Sequence, residues 1–284
     1  RRDARPQGRR DPGLTMFGAF TSFGKLGSLA RAIAAAWSPT DLTALAAWYD
    51  PSDLSTMFQD AAGTTPVTAA GQPVGLILDK SGNGHHASQT TSTARPLFQI
   101  DGSGNGHLVF DGVDDYLSTA AIDLTGTDKV TVFSGSWVLS STVAIFYETS
   151  TGALGGGAFY ATSNEHATNI GTFLVSGTGA GGVKTLTGQP AHAVTTAQFS
   201  SVFTTAIDAA AANVNGVAQS MGVFYLGSST GNFGNHPLFI GARSGGVAPF
   251  NGNLYSLIIG GALYDAATVI EAEAWVAEKT GVTL

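Results

Sequence analysis

The chain has 284 residues, 43% of them hydrophobic, and 38 glycines against only 12% charged side chains. That composition fills a substantial core and belongs to a turn-rich β protein rather than a disordered chain, while the lack of cysteine excludes disulfides and thiolate metal sites. The net charge of −7 is uneven: Arg1, Arg2, Arg5, Arg9 and Arg10 crowd the first ten residues, whereas residues 17–284 carry 8 basic and 18 acidic side chains, which excludes non-specific nucleic-acid binding by the body of the chain.

Met16 opens a segment unlike the one before it, so residues 1–15 are expected to be a processed remnant or an upstream extension of the reading frame. A signal peptide fits residues 16–37 poorly, because Arg31 interrupts the apolar stretch and Gly18, Gly24 and Gly27 loosen it. No apolar run reaches the roughly 18 residues of a membrane-spanning helix. Leu26, Leu29, Ala30, Ile33 and Trp37 fall at helical spacing on one stripe, with Lys25, Ser28 and Arg31 elsewhere on the circumference. The spacing predicts an amphipathic, basic helix whose stripe of Leu26, Leu29, Ile33 and Trp37 docks on a partner surface or on its own domain. Ser38-Pro39-Thr40-Asp41 punctuates the chain. The boundary is placed there, with residues 1–40 as arm and anchoring helix and 41–284 as one domain.

From Leu45 onward, short β-type runs alternate with turn residues. Strands are expected at 74–79, 107–111, 129–139, 142–149, 171–176, 199–208, 236–243 and 250–263. Within 129–139, the placement of Val130 and Val132 against Trp137 and Leu139 implies faces that change at the intervening Ser-Gly, as at a bulge. Asn215-Gly216 signals a type I′ hairpin, since both central positions need positive φ. Asp265 caps a closing helix bearing Val269, Ala272, Trp275 and Val276, which Gly281 ends. A lone helix after so many strands is expected at a sheet edge or at the end of the domain.

The order of motifs is informative. Ala47-Trp48-Tyr49-Asp50-Pro51-Ser52-Asp53 is followed by Asp79-Lys80-Ser81-Gly82-Asn83-Gly84. Then come Phe110-Asp111-Gly112-Val113-Asp114-Asp115-Tyr116-Leu117 and Phe250 to Ile258, before the terminal helix. Over Asp41 to Leu284 this resembles the laminin-G-like, concanavalin A-like jelly-roll superfamily. The run WYDPSDLSTMFQDAAGTTPVTAAGQPVG is similar, more narrowly, to head-spike, head-fibre and tail-fibre proteins of tailed bacteriophages. The resemblance implies an all-β sandwich of two antiparallel sheets, often presenting a carbohydrate-binding surface; it says little of activity, because the scaffold carries many functions.

Asp79, Ser81 and Asn83 alternate as oxygen ligands do in a calcium loop, but no acidic residue stands at the twelfth position. Turn chemistry explains the same residues: Asp79 and Asn83 satisfy backbone amides while Gly82 and Gly84 take positive φ. A turn network is therefore expected, with calcium the alternative and no other cofactor. His85 and His86, being adjacent, would point to opposite faces of a strand and make a poor metal pair. Asp114 and Asp115 stand near an exposed strand start, placed to meet a sugar hydroxyl or calcium; a polar edge that discourages strand pairing is the competing reading. Tyr147, Tyr160, Phe233 and Tyr255 are candidates for stacking on sugar rings, although most aromatics in a sandwich are core.

Glycosidases work with two carboxylates across the scissile bond, and the jelly-roll glucanases that the resemblance brings in present them as Glu-x-Asp-x-x-Glu on one strand. None of Glu148, Glu165, Glu271, Glu273 and Glu278 begins that pattern. No Gly-x-Ser-x-Gly elbow stands at a strand-to-helix transition, and the glycine-rich stretch 177–182 lacks the Lys-Ser/Thr of a phosphate loop. The expectation is a protein that is not an enzyme and has no catalytic residue. On the resemblance it is a virion-surface component, attached through residues 1–40 to capsid or tail proteins and to sister subunits of a homo-oligomer, with host-surface glycans as ligands. The alternatives are a carbohydrate-active enzyme on the same fold and a secreted bacterial adhesin.

Overall fold

The computed structural model describes residues 37–151, 156–163, 170–175, 182–203, 210–226 and 228–284. Its first strands are β1 (Leu45–Tyr49), β2 (Met57–Phe58), β3 (Leu76–Ile77), β4 (Ala87–Ser88), β5 (Leu97–Ile100), β6 (Gly106–Asp111), β7 (Leu117–Asp123) and β8 (Lys129–Val138). They are followed by β9 (Ile145–Thr149), β10 (Phe159–Ser163), β11 (Ile170–Val175), β12 (Gly182–Thr185) and β13 (His192–Ser200). The last are β14 (Ala210–Val214), β15 (Val217–Ala218), β16 (Gly222–Leu226), β17 (Asn235–Ile240) and β18 (Asn251–Gly260).

These strands make two antiparallel sheets. One runs β15-β14-β13-β8-β18-β6-β5, with β1 also paired to β18; the other runs β16-β12-β11-β10-β9-β17-β7-β4-β3-β2. We call them the front and back sheets. The expected all-β jelly-roll sandwich is what forms. Between the sheets, Phe159 of β10 stacks on Phe199 of β13 with ring centroids 5.4 Å apart, and Phe146 of β9 meets Phe250 at 5.0 Å. Aromatic pairs of this kind add about 0.5–1.5 kcal/mol each beyond the area they bury.

The strand β8 departs from its expected form. Its pairing with β13 runs unbroken from His192 opposite Trp137 to Ser200 opposite Lys129, so its faces do not change. Val130, Val132 and Val138 belong to the interior core and Ser134 and Ser136, in phase with them, are buried too; Phe133, Gly135 and Trp137 take the outer face. The irregularity lies instead in β18, where the register shifts between Leu254 and Ser256. The polar serines at interior positions disguised the alternation. For the same reason β13, with its run of Thr, Gln and Ala, was not anticipated over its full length.

The terminal helix spans Ala266–Thr280. Its cap is as expected: Asp265 Oδ1 accepts from the Thr268 amide at 2.8 Å, and Gly281 ends it at φ 70°. Its position is not, since it lies on the outer face of the front sheet rather than at an edge. Val269, Ala272, Trp275, Val276 and Ala277 pack there on Phe133, Val194 and Ile258. An apolar patch on the outside of three central strands needs a cover, and the helix supplies it. Trp37, Leu42 and Trp48 join this second core, with Trp48 edge-on to Trp275 at 5.6 Å.

The compact unit runs Trp37–Leu284. Trp37, buried against the helix, is thus part of the domain rather than of a free docking stripe, which corrects the expectation for that residue. Leu26, Leu29 and Ile33, the rest of the stripe, lie outside the described residues. Among the described residues no helix is long and apolar enough to cross a membrane.

Candidate functional site

Tyr147 and Phe233 are core residues, which removes both from the stacking candidates. Each is almost wholly buried, and both pack on Phe159, at 6.3 and 5.5 Å between ring centroids. Strand phase decides this: Ala161, Tyr147's partner across the ladder, faces the interior core too.

The loop at Asp79 is a turn network. Asp79 Oδ1 accepts from the amides of Trp48 and Ser81, each at 2.9 Å; Oδ2 accepts from the Ser81 hydroxyl at 2.7 Å and the His85 amide at 3.0 Å. Asn83 Nδ2 donates to the Leu45 and Ala46 carbonyls at 2.7 and 3.0 Å, and Gly82 and Gly84 take φ 89° and 78°. The carboxylate oxygens thus face donors of their own chain.

Asp111, Asp114 and Asp115 converge, with ligand oxygens within 4.8 Å of one another. Asp111 Oδ1 accepts from the Val113 amide at 2.7 Å and Asp115 Oδ2 from the Asp111 amide at 3.1 Å, so the trio also shapes its own turn. Burial, reinforced by the charges of Asp111 and Asp114, outweighs that amide bond and pushes the Asp115 carboxyl up to about 6. Three carboxylates at this separation suit a hard cation with oxygen ligands.

Tyr160 emerges on the outer face of the back sheet opposite Glu148, whose cross-strand partner on the other side is Phe239. Glu148 is fully buried. It accepts from Arg243 Nε at 2.7 Å and from the Ser150 hydroxyl at 2.5 Å, and the guanidinium lies 5.5 Å from the Tyr160 ring centre. The ring that was to stack on sugar is engaged by an arginine.

Tyr255 leads to a richer arrangement on the outer face of the front sheet, beyond the helix C-terminus. Four rings from four strands stack in a row. Trp137 lies parallel to His192 at 4.8 Å and 12°, His192 faces Tyr255 at 5.2 Å, and Tyr255 faces His107 at 4.8 Å. Tyr255 itself has no exposed surface, whereas Trp137 at the end of the row is 38% exposed. Asn253 sits directly across the ladder from Trp137. Its Oδ1 is buried without a partner, as is His192 Nε2.

The electrostatics of the row follow from its packing. Burial lowers the pKa of both His107 and His192 and pushes Tyr255 up to about 12. His107 Nδ1 lies 3.2 Å from the Asn105 carbonyl, which can only accept, so that nitrogen carries the proton. Asp101 Oδ2 accepts from the Tyr255 hydroxyl at 3.4 Å. A half-exposed indole stacked on His192 offers a flat face with polar atoms at its foot, which is the form a sugar-stacking site takes. Of its residues, the sequence pointed only to Tyr255. Trp137 was legible in principle, being out of phase with the interior valines of β8.

Two cavities open among the described residues near these elements. One of 660 Å³ is walled by Ala44, Ala46, Gly126 and Gly261, and contains no Trp, Tyr or Phe. The other, of 330 Å³, lies between Ile100–Gly106 and Lys279 at the helix end. Neither offers an aromatic platform like that of Trp137.

No family model and no curated protein matches the chain. Solved structures do. The Trypanosoma rangeli sialidase in complex with sialic acid aligns with TM-score 0.52 at 10% identity, over 92% of this chain and 39% of that one. An arabinofuranosidase complexed with arabinofuranosyl-α-1,2-xylobiose aligns with TM-score 0.51 at 13% identity, over 85% of this chain and 65% of that one. The chain thus spans about two fifths of the sialidase, and the likeness establishes the sandwich fold. It also corrects the expectation that the protein is not an enzyme: this sandwich recurs within chains of glycan-cleaving enzymes, so the fold and the missing glucanase pattern do not separate binding from turnover.

Proposed function

We propose that the chain is a glycan-recognising jelly-roll domain displayed on the surface of a tailed-bacteriophage particle, where it serves host adhesion. The Trp137 platform carries the glycan part of this reading. The virion part rests on the resemblance of the Trp48–Gly75 region to head-spike and fibre proteins, and on a chain whose charge and composition change at one end only. In this reading residues 1–36 make the attachment, to a capsid or tail protein or to sister subunits, and the sandwich faces outward. Two measurements test it. Binding of the full chain to host-surface polysaccharide, weakened at least about tenfold by Trp137→Ala, supports glycan recognition, and binding unchanged by that substitution removes it. A chain lacking residues 1–36 should fold but stay out of particles; incorporation at normal copy number would move the attachment to the sandwich.

A second reading, turnover of the bound glycan, is favoured by the carboxylates of Asp111, Asp114 and Asp115. The Asp115 carboxyl is raised above its ordinary value, and the ligand oxygens lie within 4.8 Å of one another, close to the roughly 5 Å of retaining glycosidase pairs. New reducing ends released from the polysaccharide, and abolished by Asp115→Asn, would establish it.

A further inference from the structure

The ring row leaves a specific set of polar atoms unsatisfied. Asn253 is 8% exposed and its Oδ1 has no partner; His192 Nε2, likewise buried, has none. The amide oxygen is an acceptor, and so is Nε2 whenever the ring holds its proton on Nδ1. A buried acceptor without a donor is a cost that a ligand hydroxyl can remove, once the half-exposed indole shifts to admit it.

The fixed charge beside the row is negative. Asp101 bears on His107, His192 and Tyr255 alike. Burial raises its pKa, but the amides of Asn105 and Ser103, at 2.9 and 2.8 Å, with the Asn105 side chain, outweigh burial and hold the carboxyl below its ordinary value. The imidazoles of His107 and His192 are driven towards the neutral form. At the adjoining helix end, Glu278 is the acid among the residues lining the 330 Å³ cavity. Lys279 is turned to Asp50 at 3.4 Å and the Ser52 hydroxyl at 2.9 Å, with its ammonium over the Trp275 ring.

We infer that the Trp137 platform selects a neutral sugar, one that lays its C–H face on the indole and donates a hydroxyl to Asn253, and that it discriminates against sialic, uronic and sulfated sugars. An acidic ring placed on the indole adds negative charge to a face on which the Asp101 carboxylate already acts as far as His192, the ring next to the indole, with no free cation among the groups named to offset it, and the Asn253 amide oxygen cannot donate to an anion. The inference rests on the reading of this face as a glycan site, and its test separates the two.

The full chain is titrated calorimetrically, at neutral pH and low salt, with matched probes: lactose and sialyllactose, cello-oligosaccharide and the corresponding oligoglucuronate. The expected result is at least about tenfold tighter binding of a neutral probe than of its acidic match, lost in Trp137→Ala and largely kept in Trp137→Phe, with unchanged melting of both variants. If an acidic probe binds more tightly and Trp137→Ala still abolishes it, the site stands and the selectivity is overturned. Binding indifferent to Trp137, or no binding of any probe, overturns the site itself and the selectivity with it.

Discussion

At Gly135 the terminal helix lies directly on the front sheet, and Gly135→Ala tests that packing. A Cβ at residue 135 would lie 2.1 Å from Thr280 Cγ2 and 3.1 Å from Val276 Cγ1, against ordinary carbon contacts of about 3.5–4.0 Å. The Thr280 methyl cannot swing aside freely, because its hydroxyl bonds back to the Val276 and Ala277 carbonyls, each at 3.1 Å. The helix end must therefore lift. Overpacking of this kind costs about 1–3 kcal/mol, offset in part by the 0.5–1 kcal/mol or so that alanine gains over glycine inside a strand. A net loss of about 1–2 kcal/mol lowers the melting temperature of a domain this size by about 2–8 °C. Thermal melts followed by circular dichroism read it directly. The double variant Gly135→Ala/Thr280→Ala, which removes the clashing methyl, should melt above the value expected from adding the two single changes. A Gly135→Ala protein that melts within a degree of the parent would refute the packing, as would strict additivity in the double variant.

Three further outcomes are expected. The Asp115 carboxyl is raised to about 6 on folding, so its contribution is fully present below the unfolded value near 4 and is lost as pH rises through 6; Asp115→Asn should stabilise the domain by about 1 kcal/mol at pH 7.5, after discounting for solvent, with the difference closing below about pH 4. Asp79→Ala strands the buried Trp48 amide and should cost about 2–3 kcal/mol in chemical denaturation, whereas a normal melt accompanied by loss of a calcium-dependent thermal shift would turn that loop into a metal site. Arg243→Ala leaves the Glu148 carboxylate buried and unpaired, for a loss of about 3–5 kcal/mol that Glu148→Gln in the same chain should partly restore.

The fold was legible where apolar residues alternate with turn residues, as at Gly106–Asp111, and where a local signal stands alone. Asn215-Gly216 forms its hairpin with φ 48° and 77°, and Asp265 and Gly281 bound the helix as read. It was illegible where side-chain type contradicts position. Ser134 and Ser136 are buried in phase with the core, while Trp137 is outside, so hydrophobicity alone assigns the wrong faces. The candidate site was legible only through Tyr255. His107, Trp137 and His192 are far apart in the chain and become neighbours through the pairing of β6, β18, β8 and β13, a register that no local spacing encodes. Tyr147 and Tyr160 show the same limit from the other side: strand phase alone puts one in the core and the other outside.

One of the central strands of the front sheet, β18, is the last of the described strands. β18 pairs with β8 on one side and with β6 and β1 on the other, joining Leu45 to Gly260. Such pairing gives high contact order, and folding has to wait for the most distant contacts. On the ribosome, the strands up to β17 emerge before the strand that joins β8 to β6 and β1. A nascent chain stopped short of Gly260 therefore holds the flanking strands of a sheet with no centre, their ladder groups open to pairing with other chains. Synthesis must pass β18 and the helix before the domain can close, and chaperone demand should be concentrated in that interval, ending when β18 slots in and the helix covers it.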